Sequence, residues 1–369
     1  MDIVIVANNL PPAKCGIADY SQCLADELLR LDNHVIIAGK GCGEVTDTVI
    51  PVGGAWDKKA FDFLLSELKK RKISHVLLQY TPLSFRSGKG LWDNLLLGFW
   101  QNVAAQWQPS LVIHDFPSRS FRYPLSLARS VIQKKQLKLL TRISEHVFTA
   151  SEPLLKELSG WGLKHKAVCL PIGSGIPFIP AGRLQARQKN KVGGDEIVLA
   201  LFGKRTNIAL QRPYIKALDR HLLKNKIKAR WLFFKSVDCI PAREFSFSLP
   251  VIEVEHASKA ELSSLMQMSD IFILPDCLKA TRASVMVAIQ HALPVVSLEG
   301  KDTDSFWHNI GGVILAHAGD KQAFCKKVEI LCADAALRRS CGEKNRGYFN
   351  NNFTWEHIAS VLLNELSVY

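Results

Sequence analysis

The chain of 369 residues contains no CxxC pair. Its nine cysteines (Cys15, Cys23, Cys42, Cys169, Cys239, Cys277, Cys325, Cys332, Cys341) are scattered and odd in number. That pattern argues against a zinc or disulfide framework and for reduced, partly buried thiols. No apolar run approaches the roughly 20 residues that a membrane span requires. The opening MDIVIVAN lacks a basic stretch and reads as a first strand, not a signal peptide, so the chain is expected to be cytosolic. HExxH, GxSxG and Walker A are all missing, which makes zinc peptidase, α/β-hydrolase and P-loop NTPase poor readings. The first strand-to-helix loop, NNLPPAKCGIAD at Asn8–Asp19, holds only Gly16 where a dinucleotide fingerprint would need three glycines, so a nicotinamide enzyme is remote.

What is present is ordinary globular material with a strong basic bias. Hydrophobic residues make up 47% and charged residues 22%, and the formal charge is +13. Such a charge speaks of anionic partners and not of fold. Nucleotide phosphates, polyanionic glycans and anionic membranes all fit. Nucleic acid ranks low, because no helix-turn-helix, RNA-recognition signature or zinc finger accompanies the charge. The length suits two domains of about 150–200 residues each.

Short apolar strands alternate with helical patterns along nearly the whole chain, which predicts α/β architecture with parallel sheets. In the first half, strands are expected at Asp2–Ala7, His34–Ala38, Ser74–Tyr80, Ser110–Asp115, His146–Ala150 and Ala167–Pro171, with helices at Asp19–Leu31, Trp92–Trp107 and Pro124–Ser144. Ala181–Asp195 (AGRLQARQKNKVGGD) lacks apolar periodicity and reads as an interdomain linker. A second series follows, with strands at Glu196–Phe202, Arg230–Lys235, Pro250–Val254, Asp270–Pro275, Pro294–Leu298 and Gly312–Ala316 and helices including Tyr214–Lys224, Lys259–Met268 and Thr354–Leu366. Two doubly wound domains would set a ligand cleft at the carboxyl ends of their strands, between the domains.

Several residues stand where such a fold does chemistry. In Asp270–Gly300 a buried strand leads to a short loop with Asp276 and Arg282, then to a helix opening near Ser284. A helix start behind a parallel strand offers unpaired N–H groups and partial positive charge to a phosphate. Gly203, Lys204 and Arg205 close a strand, a glycine and two cations suited to a diphosphate, with Arg212 a further candidate nearby. His114 and Asp115 end the strand in LVIHDFPSR, where an imidazole can hydrogen-bond a sugar hydroxyl or meet a developing charge. A helix spanning Leu125–Arg142 mixes Arg129, Lys134, Lys135, Lys138 and Arg142 with Leu127, Val131, Leu137, Leu139 and Leu140. That basic face suits either solvent or an anionic membrane.

Taken in order, these segments resemble retaining glycosyltransferases of the GT-B fold, in particular the family 4-like group that builds bacterial polysaccharides. The motifs are the Gly16 loop and its helix, LLQY at Leu77–Tyr80, IHDFPSR at Ile113–Arg119, FTASEPLLKEL, CLPIGSGIP at Cys169–Pro177, LFGKR, ELSSLMQMSDIFILPD with HALPVV, and FTWEHIA. The resemblance implies two Rossmann-like domains: residues 1–180 on the acceptor side, with a terminal helix at 354–369 packing back on them, and residues 195–350 holding a nucleotide-sugar donor. It implies catalytic roles for His114 and Arg205. It implies donor contacts from Gly16, Gly203, Lys204, Arg212, Asp276, Arg282, Ala283 and Ser284. Neither metal nor other cofactor is expected, the leaving diphosphate being stabilised by basic side chains and a helix start. The acceptor would be a glycan or lipid-linked glycan, and the protein cytoplasmic, with a peripheral place at the inner face of the membrane. Departures from the pattern are specific. Lys279 and Val287 occupy the places of a glutamate pair, Thr281–Ser284 is a variant of an Arg-Arg-Gly-Ser-like turn, and Ala209 stands for a lysine. These departures keep open an inactive homologue that acts by binding alone.

Overall fold

The computed structural model describes the chain except residues 14, 87–93, 118–123, 204–207, 236–240, 256, 279–281, 302 and 368–369. It divides into two compact units, Met1–Pro171 with Trp355–Tyr369, and Ile172–Thr354.

The first unit runs β1 (Asp2–Asn9), α1 (Gly16–Arg30), β2 (His34–Lys40), β3 (Val49–Pro51), α2 (Lys58–Lys69), β4 (His75–Tyr80), α3 (Asn94–Ala104), β5 (Gln108–Ile113), α4 (Pro124–Ile143), β6 (His146–Thr149), α5 (Glu152–Ser159) and β7 (Ala167–Cys169). Its seven strands pair in the order β3-β2-β1-β4-β5-β6-β7, all parallel. The strand sequences are nearly continuous apolar runs because helices cover both faces of a parallel sheet. One face packs Val4, Val6, Leu78, Leu111 and Ile113 against Phe61, Phe99, Trp100 and Leu137.

The second unit contains α6 (Arg183–Lys189), β8 (Ile197–Gly203), α7 (Ile208–Lys224), β9 (Ala229–Lys235), β10 (Val251–Val254), α8 (Lys259–Met268), β11 (Ile271–Cys277), α9 (Ala283–Gln290), β12 (Val295–Glu299), β13 (Val313–His317), α10 (Lys321–Ala333) and α11 (Ala335–Asn352). Its parallel sheet has the order β10-β9-β8-β11-β12-β13. Alternation splits each strand between two cores. Val198 and Ala200 of β8 join Met286 and Ile289, whereas Leu199 and Leu201 join Leu218 and Phe324. The last helix, α12 (Trp355–Leu366), belongs to the first unit and packs on α1 through a buried stripe of Ile358, Ala359, Leu362 and Leu366.

Residues 181–195 are not the open linker expected from their polarity. Their middle folds as α6 and packs on α8. The reason is an ion network. Arg183 and Arg187 reach the buried Asp270 carboxylate at 2.6 and 3.1 Å. The same guanidiniums donate to Gln267 O, Met268 O and Ser269 O, the open carbonyls where α8 ends. Cations at a helix C-terminus satisfy those acceptors and oppose the negative end of the dipole. A polar sequence therefore conceals a buried anchor.

Candidate functional site

In each sheet the strand order reverses once, between β1 and β4 and between β8 and β11. Loops leaving the carboxyl ends on either side of such a reversal diverge and leave a crevice for ligand.

In the second unit, β8 ends at Gly203 beside β11, with which it is hydrogen-bonded. Lys204 and Arg205 lie outside the described residues, as do Lys279 and Thr281. Asp276 lies inside β11 and is buried, not in a loop as the sequence suggested. The strand is held there by the Ser297 hydroxyl, at 2.8 Å from both Leu274 O and Asp276 O. Arg282 is the residue at which α9 begins, and its Nη1 lies 2.8 Å from Asp276 Oδ2. Asp276 thus fixes the guanidinium, which remains half-buried and not enclosed. A fork held on one edge by a carboxylate keeps its other N–H groups for a bidentate anion.

The start of α9 is open. Helices α2, α5, α8, α10 and α11 are each capped by an Asp or Ser side chain (Asp57, Ser151, Ser258, Asp320 and Asp334). Arg282 caps nothing with its side chain, and among the described residues the amides of Ala283 and Ser284 have no partner. The same holds at α1, where Cys15 provides no side-chain cap. An uncapped helix start at a strand reversal is suited to phosphate. Gly16, the first residue of α1, has open space where a Cβ would stand, with no atom within 4 Å. Arg212 does not join the cluster: its exposed guanidinium on α7 pairs with Glu244 at 3.2 Å. Val287 is buried in the core that backs α9, so no carboxylate faces a ligand from that turn. Among the described residues no three His, Cys, Asp or Glu side chains converge as metal ligands.

In the first unit, His114 follows β5, and its backbone N–H continues the ladder to Tyr80 O at 3.0 Å. Nε2 lies 2.6 Å from Gln79 Oε1, and the ring meets the edge of Tyr20 with centroids 4.9 Å apart. Tyr20 in turn packs on Trp355 of α12. Burial against these groups pushes the imidazole down to about 4, so the ring is neutral at physiological pH. Gln79, Tyr20 and Trp355 escaped the sequence reading. Gln79 had a signal, a lone amide inside the otherwise apolar strand HVLLQY.

Two doubly wound parallel-sheet units, with candidate sites at their strand reversals, define the fold class of GT-B glycosyltransferases. Particular solved structures share that fold over the whole chain. HepE from Anabaena, solved in complex with UDP and glucose, is similar with a TM-score of 0.73 at 13% identity, covering 100% of both chains. Sucrose-phosphate synthase from Thermosynechococcus elongatus is similar with a TM-score of 0.72 at 14% identity, covering 99% of this chain and 98% of that one. WaaG, a glycosyltransferase involved in lipopolysaccharide biosynthesis, is similar with a TM-score of 0.67 at 14% identity, covering 100% of both chains. No protein-family model matches the sequence, and no curated protein does.

Proposed function

We propose that the chain is a glycosyltransferase that moves a sugar from a nucleotide-diphosphate donor to a glycan or lipid-linked glycan acceptor, with retention and without metal. The observation that carries this reading is the Arg282 fork, held by Asp276 at the uncapped start of α9, in a chain that shares its whole fold with glycosyltransferases. In this reading the second unit holds the donor. Arg282, the amides of Ala283 and Ser284, and the strand end at Gly203 with Lys204 and Arg205 take the diphosphate, whose charge grows as the sugar departs. The first unit binds the acceptor and supplies His114 to the sugar or the reacting centre. The acceptor oxygen bonds to the anomeric carbon on the face that the phosphate leaves. The sugar–phosphate bond breaks, and the acceptor proton passes to the departing phosphate.

A panel of nucleotide sugars tests the reading. Turnover of one of them with a retained anomer, seen by NMR of the product, is expected, and Arg282→Ala is expected to weaken UDP or other nucleotide binding at least about tenfold. Absence of binding by every nucleotide sugar would sink it. A second reading, a binding-only homologue, is favoured by the apolar Val287 inside α9. Nucleotide-sugar binding without transfer or hydrolysis would select it.

The proposal extends to an anionic membrane surface, with the protein at its inner face. The inward residues of α4 include Ser130, Gln133 and Gln136, whereas Leu127 and Val131 are 41% and 61% exposed beside the exposed Arg129 and Lys135. Apolar side chains among cations on a helix's outer face suit the headgroup boundary better than water. No described helix is long and apolar enough to cross a membrane.

A further inference from the structure

Among the described residues, one polar contact reaches the His114 ring, from Gln79. Gln79 is fully buried at the carboxyl end of β4. Its Oε1 lies 2.6 Å from His114 Nε2, and its amide nitrogen is buried with no partner among the described residues. A carbonyl oxygen can only accept, so with Oε1 turned to the ring Nε2 carries the proton. The neutral ring then bears its lone pair on Nδ1, which has no hydrogen-bond partner among the described residues.

We infer that Gln79 is a positioning residue that locks His114 in the Nε2–H tautomer, so that His114 offers a ligand an acceptor and not a donor. The consequence deepens the transferase reading and rests on it: His114 would accept a hydrogen bond from a hydroxyl of the sugar or the acceptor through Nδ1. It would not donate to a developing oxyanion. The orphaned amide supports the assignment. Buried polar groups without partners are rare, and an apolar residue of the same shape would leave none. Stability alone therefore does not account for a glutamine here, whereas orientation of the ring does. The aromatic neighbour of the imidazole does not set the tautomer. Tyr20, from α1, presents its ring edge, and its phenol is pushed up by burial out of the titrating range.

The test combines ring ¹⁵N NMR of the whole protein with kinetics on Gln79→Met and Gln79→Glu. The wild-type His114 is expected to show the neutral Nε2–H pattern at pH 7. Gln79→Met keeps the length and removes the acceptor. It is expected to mix the tautomers and to leave the melting temperature equal or higher. It is also expected to lower kcat about tenfold, the worth of one oriented hydrogen bond, with donor KM little changed. Gln79→Glu restores an acceptor and adds charge. It should restore the Nε2–H pattern and raise the pH at which the ring protonates. An Nδ1–H pattern in the wild type, or an unchanged tautomer ratio in Gln79→Met, overturns the inference. These spectra decide it even if no nucleotide sugar is turned over, in which case only the transferase reading fails.

Discussion

His75, His146 and His291 are buried and His114 is half-buried, and in each the largest influence is desolvation, which disfavours the charged ring and lowers its pKa. The unfolded chain therefore binds protons near pH 6.5 that the folded chain refuses. Stability from these rings is complete above that pH and is lost as pH falls, for His114 down to about 4. At pH 5 the loss from His114 alone is about 2 kcal/mol. The urea midpoint should fall between pH 7 and pH 5 with an unchanged slope, and His114→Gln should shrink that fall; an equal fall in the variant would mean that the other rings carry it. A second residue-scale strain lies just beyond α9. Ala292 has φ +56°, a left-handed conformation that L side chains adopt at a cost of about 1 kcal/mol. Ala292→Gly should raise the melting temperature by about 2–4 °C. Gly342→Ala should do the reverse severely, because the new Cβ would lie 2.0 Å from Ala292 O. Scanning calorimetry on the two variants checks both signs.

At the scale of elements, the strands were legible because a parallel sheet buries both faces and writes itself as apolar runs such as IVIVA and FIL. Lys259–Met268 was legible to its ends, since Ser258 caps α8 and Ser269 breaks it. What escaped depends on distant partners. β3 is three residues long and is a strand only through pairing with β2. α6 is polar in sequence, and its burial comes from Asp270, more than 80 residues away. The segment Asp270–Gly300 was readable as strand, loop and helix. The Arg282–Asp276 pair was not, because a strand's carboxylate and a helix's first arginine meet only after folding. Those partners also say what α6 is worth. Arg187 is 6% exposed and donates to Met268 O, Gly193 O, Glu196 O and Asp270. Removing it leaves a buried carboxylate short of one partner and takes a donor from three carbonyls, of which Gly193 O keeps the Glu196 N–H at 3.3 Å. Arg187→Ala should cost roughly 3–5 kcal/mol in urea unfolding, and Arg187→Lys most of that, since an ammonium cannot span the same fork of acceptors. A loss below about 1 kcal/mol, the value of a surface pair, would return residues 183–189 to the status of a linker.

For the whole molecule, the charge of +13 is the property that no single site absorbs. Arg282 at the start of α9 accounts for little of it, and α4 concentrates Arg129, Lys134, Lys135, Lys138 and Arg142 on one helix. Lys134 and Lys138 lean on the Trp161 ring at 5.4 and 4.9 Å, so their stems cover apolar surface while Arg129, Lys135 and Arg142 project to solvent. Each cation near an anionic membrane contributes about 1 kcal/mol, and the attraction falls off within a Debye length of about 8 Å at physiological salt. Leu127 and Val131 add an apolar component that salt does not screen. The full-length protein should therefore cosediment with vesicles containing phosphatidylglycerol and not with neutral phosphatidylcholine vesicles, and raising the salt should reduce binding without abolishing it. Val131→Asp combined with Lys135→Glu should release the protein while leaving its melting temperature unchanged, because both positions point away from the core. Equal binding to neutral and anionic vesicles, or undiminished binding by the double variant, would remove α4 as the contact and leave the excess charge to a different anionic partner, which would then have to supply the counter-charge.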